Sequence, residues 1–101
     1  MKIDYNKKFE SFFNPSLKAD ILAASVSLYK LSCKFPYEIA AIIAEEVRAR
    51  FCCFCCKGID NMQGYEIFEE AGNYYDDRLI GFVREYAHET ISNYRKLNEG
   101  K

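Results

Sequence analysis

Apolar residues recur at helical spacing along almost the whole chain, and nowhere do they alternate with polar ones for long enough to read as a strand. The expected fold is therefore all-α, a small antiparallel helical bundle of about four segments. Tyr5, Phe9, Phe12 and Phe13 make a short first helix that closes at Asn14-Pro15. Asn14 as N-cap and Pro15 at the first helical position then open a second helix, with Leu17, Ile21, Ala24, Leu28 and Leu31 on one face. Pro36 ends that helix, because the residue before a proline is pushed out of the α region, and it can begin the next.

A third helix is expected from Pro36 to about Lys57, with Gly58 as a left-handed cap. At about 100° per residue, Ala40, Ile43, Ala44, Val47, Phe51, Phe54 and Cys55 share one stripe, which reads as its core face. Gly58 to Gly64 reads as a loop. Tyr65 to Ala71 reads as a short helix that either continues past Gly72 or breaks there. A long helix from Asn73 to about Leu97 follows, with Tyr75, Leu79, Phe82, Val83, Tyr86, Thr90, Tyr94 and Leu97 inward. Short connections suit an antiparallel arrangement, and residues 1–101 are enough for one domain and too few for two.

Composition changes this picture little. Half the residues are apolar, with 8 Phe, 8 Tyr and no Trp, and 5 Gly and 2 Pro leave few turns. The net charge of −1 supplies no global positive field for a phosphate backbone, which argues against nucleic-acid binding. Tyr74, Tyr75, Tyr86 and Tyr94 could stack on bases, but only Arg78 and Arg84 lie between them, so packing at the core edge is the better use. Met1 to Glu10 is charged and has no apolar h-region, so no secretory signal is expected. The longest aliphatic run, Ile39 to Ala44, is far short of the ~20 residues that span a membrane. A cytoplasmic location follows as the expectation.

Charge is unevenly placed. Gly58 to Asp77 holds Asp60, Glu66, Glu69, Glu70, Asp76 and Asp77 with no Lys or Arg, between flanks that are net basic. The carboxylates interleave with Tyr65, Tyr74 and Tyr75, a combination able to meet a basic surface on another protein and to speed association with it. A solvated helix face is the competing interpretation.

Four of the five cysteines fall in the run Cys52-Cys53-Phe54-Cys55-Cys56, where two C-x-x-C spacings overlap. A helix through this run separates the thiols. Cys55 lies with Val47 and Phe51, Cys52 and Cys56 lie roughly 100° or more away, and Cys53 points elsewhere again. A tetrahedral site draws such pairs from a turn and needs further ligands, for which Cys33 and His88 are the only other Cys or His. A Cu(I) or Zn²⁺ site, or a redox-responsive thiol site, at Cys52, Cys53, Cys55 and Cys56 is thus the alternative to four cysteines acting as small hydrophobes. Ala41, Ala49, Cys52 and Cys56 could also form a small-residue seam, which raises a homodimer as a possibility.

Catalytic signals are weak. Glu85-x-x-His88 has di-iron spacing but points away from the inward stripe, and no G-x-S-x-G, P-loop or dinucleotide fingerprint occurs. No enzyme activity and no cofactor are expected. The expectation is a protein-binding module, an adaptor, regulator or inhibitor, with Glu66, Glu69, Glu70, Tyr74, Asp76 and Asp77 as its contact surface.

Overall fold

The computed structural model describes residues 3–32, 35–59 and 61–99. Its elements are α1 (Tyr5–Phe12), α2 (Pro15–Ser32), α3 (Pro36–Cys56), α4 (Asn61–Tyr74), a π-helical turn (Tyr75–Leu79) and α5 (Ile80–Glu99). No strand occurs among the described residues, and the chain is a small antiparallel helical bundle.

Local chemistry sets the boundaries. Asp4 caps α1 by accepting from the backbone N–H of Lys7 at 3.1 Å. Asn14 serves two helices at once: its amide donates to the Ser11 carbonyl at 3.1 Å, and its Oδ1 accepts from Leu17 N–H at 2.9 Å. Pro36 occupies the first turn of α3. The chain leaves α3 through Gly58, whose φ of +79° favours a residue without Cβ.

Ring contacts show how the helices run. Tyr5 meets Tyr74, Phe13 meets Phe82 and Tyr86, and Tyr29 meets Tyr94. Both members of each pair advance together, so α1 followed by α2 runs in the same sense as α4 followed by α5. The helix α3 returns between them, joined to α2 by the Arg50–Asp20 ion pair at 3.2 Å, and packs against all four other helices. The result is a rod of 53 × 22 × 22 Å.

Because α3 is central, it is buried on more than one side. Beyond the expected stripe, Ile39 and Cys52 are also fully covered. An aromatic group fills the core near the C-terminal end of α3, where Phe51 makes ring contacts with Phe9, Phe12 and Tyr75. Burying a ring such as Phe51 contributes about 1.5–3 kcal/mol from removed surface. Farther along the rod the core is aliphatic, with Leu17, Ile21, Ile43, Val47, Val83 and Ile91.

The helix from Asn61 does not break at Gly72. It continues through the π turn, where Ile80 N–H donates to the Tyr75 carbonyl five residues back, into α5. The extra residue in that turn resets the helical register. Ala71, Tyr75, Leu79, Val83, Ala87 and Ile91, spaced by four, all face the core. An uninterrupted α-helix would rotate such a row steadily away from α3, by about 40° per step. Consequently Phe82 and Leu97, expected inside, are 52% and 70% exposed, while Ala87 and Ile91, not expected there, are buried. Phe82 still packs edge-on against Phe9 and Phe13. In α2 the expected face holds at Leu17 and Ile21, but Leu31 near the helix end is 85% exposed.

Candidate functional site

The outward side of α4 and of the π turn after it carries the acidic segment, and its carboxylates fall into two groups. Glu66, Glu69 and Asp77 are exposed and make no hydrogen bond or ion pair with another described residue. Glu70 and Asp76 are engaged within the molecule. Glu70 accepts from the Tyr5 hydroxyl at 2.8 Å, while the Tyr5 ring lies 5.6 Å from that of half-buried Tyr74. Burial, and then the bond to Glu70, pushes the Tyr5 phenol well above its ordinary range.

Asp76 takes a two-pronged contact from Arg48, Nε to Oδ1 at 2.8 Å and Nη2 to Oδ2 at 3.0 Å. Arg48 reaches it by lying over Gly72, where a methyl group would sit 2.7 Å from Nη2. Glycine at position 72 thus lets the guanidinium cross α4. One residue before Asp76, fully buried Tyr75 donates its hydroxyl to the Ala44 carbonyl of α3 at 2.7 Å, and burial raises this phenol too. The π turn is therefore fastened to α3 by two adjacent side chains, and Asp77 is left facing water.

Large apolar groups accompany the free carboxylates. Met62, Tyr65 and Phe68 are 81%, 74% and 39% exposed and stand three residues apart, forming one i±3 row on α4. Glu66 and Glu69 form the next row, each four residues beyond Met62 and Tyr65. That second row ends at Gly72 beneath Arg48. On the other flank a cleft of about 860 Å³ separates α4 from α1, with Lys7 and Lys8 on one wall and Glu66 and Glu70 on the other. The face is thus bounded by Arg48 on one side and by Lys7 and Lys8 on the other.

Of the six expected contact residues, Glu66, Glu69 and Asp77 are unpaired among the described residues, whereas Glu70, Tyr74 and Asp76 are committed to Tyr5 and Arg48. Met62 and Phe68 were not among the expected residues. Their spacing of three on either side of Tyr65 is the sequence signal for them, obscured because Gly58 to Gly64 reads as a loop. Asp60 lies outside the described residues.

The helix continues through the cysteine run and disperses the thiols. Cys52 and Cys55 are buried, Cys53 is exposed, and Cys56 is half-buried with its Sγ 3.6 Å from the Cys53 carbonyl. Burial raises both inner thiols, Cys55 to about 12. Among the described residues no three Cys, His, Asp or Glu side chains come together to hold a metal ion. Cys33 lies outside the described residues. Along the small-residue seam Cys52 is covered by this chain's own helices, Ala41 and Cys56 are half-buried, and Ala49 is exposed. Glu85 and His88 are exposed on α5. Of the four tyrosines considered for stacking, Tyr75 is buried and Tyr74, Tyr86 and Tyr94 are half-buried. No described helix is long and apolar enough to cross a membrane.

No protein-family model matches the chain, and no curated protein or solved structure shows significant similarity to it.

Proposed function

We propose that this chain is a cytoplasmic protein-binding module, an adaptor, regulator or inhibitor, that contacts a basic surface of another protein through the outward face of α4 and performs no catalytic step. One observation carries this reading: Glu66, Glu69 and Asp77 lie exposed and unpaired among the described residues, on a segment without Lys or Arg, beside Met62, Tyr65 and Phe68. Exposed apolar groups next to single-sign charge suit an interface, because the charge steers encounter and the apolar groups hold the complex. Glu70 and Asp76 support the fold at the edges of this face, and Tyr74 backs it.

Copurification tests the proposal. A partner recovered with the wild-type chain should be lost with E66K/E69K/D77K. It should be kept with E85K/E89K, which changes exposed carboxylates on α5 instead. Equal recovery with both variants would show that the α4 face is not the contact.

A further inference from the structure

A surface built of two parallel rows on one helix selects the shape of what docks on it. The Met62–Tyr65–Phe68 row spans about 9 Å of helix axis, and the Glu66–Glu69 row runs beside it; the space between two such rows is a helix-packing groove. Ridges at i±3 spacing are what a second helix packs against, placing its own ridge in such a groove. The docked helix must therefore carry apolar groups on the strip over Met62, Tyr65 and Phe68, and Lys or Arg on the adjoining strip over Glu66 and Glu69.

A second copy of the chain docked through this same face would offer Glu66 and Glu69 no cation from its own α4, since Gly58 to Asp77 holds no Lys or Arg. Gly72 and Arg48 close one end of the groove. The Arg48 guanidinium, already held by Asp76, disfavours a further cation at that point. Resting on the proposed role of this face, we infer that its occupant is a basic amphipathic helix of another protein, laid along α4 with its apolar stripe on Met62, Tyr65 and Phe68 and its cationic edge on Glu66 and Glu69.

The test uses two Leu/Lys peptides of about 18 residues, long enough to be helical. In one, the leucines fall at i, i+3, i+4 and i+7; in the other, the same residues are scattered around the helix. Titration of the full chain should give affinity for the first peptide at least about tenfold tighter than for the second. That preference should disappear in M62Q/Y65Q/F68Q, whose circular dichroism stays that of the wild type while its melting falls modestly through the partly covered Phe68. In E66K/E69K/D77K both peptides should bind much more weakly, and added salt should weaken wild-type binding.

Equal wild-type affinity for the two peptides, with both lost in E66K/E69K/D77K, would overturn the helical occupant and leave the acidic contact standing. Equal affinity unaffected by E66K/E69K/D77K, or no binding of either peptide, would overturn both. Concentration-dependent self-association removed by M62Q/Y65Q/F68Q would make the occupant a second copy and overturn the inference.

Discussion

The helices α3 and α4 follow one another in the chain and pack together, yet they use their surfaces differently. The central helix α3 meets all four other helices, and eight of its apolar residues, two of them cysteines, are buried. In α4, Ala71 and the two glycines at 64 and 72 are buried, while the outward side shows a methionine, a tyrosine and a phenylalanine among carboxylates. Apolar side chains in α3 are held by the fold. Met62 and Tyr65 in α4 are not, so changes there should spare stability and, on the proposed function, alter what the surface binds.

The largest expected effect lies in α3. Phe51→Ala removes a fully buried ring that touches Phe9, Phe12 and Tyr75, and should cost about 3–5 kcal/mol in urea denaturation. A loss below ~1 kcal/mol would break the contrast, because the aromatic group would then not be holding the bundle together.

Alkaline pH probes the same interior. Cys55 is pushed up to about 12 by burial, and Cys52, Tyr5 and Tyr75 are raised as well. Above the ordinary thiol range the unfolded chain loses these protons before the folded one does. The resulting contribution is complete below about pH 9 and is lost as the pH rises through the folded values. Stability measured at about pH 10.5 should therefore fall below that at about pH 8, and the drop should shrink in Cys55→Ala. A flat profile would mean that the thiol is not desolvated.

Tyr75→Phe keeps the buried ring but removes the bond to Ala44, and should cost about 1 kcal/mol. Arg48→Ala should cost at most about 1 kcal/mol, since the pair with Asp76 is partly solvated, with side chains 33% and 46% exposed. This variant also sharpens the comparison. It releases Asp76 beside the outer face, so affinity for the helix-patterned basic peptide should rise in the same protein whose stability falls slightly. Unchanged affinity would place Asp76 outside the contact.

Much of the fold was legible because its boundaries are local. Asn14-Pro15, Pro36 and Gly58 act through their own backbone and side-chain chemistry, and each marks a boundary in the structure. The π turn was not legible, since nothing in Tyr-Asp-Asp-Arg-Leu distinguishes it from an α-helix; Tyr75 and Asp76 meet Ala44 and Arg48 only after α3 has packed. Past that turn an ideal helical period carries the wrong phase, which is why Phe82 and Leu97 lie outside and Ala87 and Ile91 inside. The acidic segment was visible as composition, but its division was not. Glu70 depends on Tyr5, 65 residues away, and Asp76 on Arg48, 28 away.

On the proposed function the outer face of α4 is spare for folding and serves binding, and E66K/E69K/D77K tests both halves together. In one preparation, its unfolding free energy should stay within about 0.5 kcal/mol of the wild type, while its affinity for the helix-patterned basic peptide falls at least about tenfold. Wild-type affinity in this variant, or a stability loss of several kcal/mol accompanying the lost binding, would contradict that division of labour.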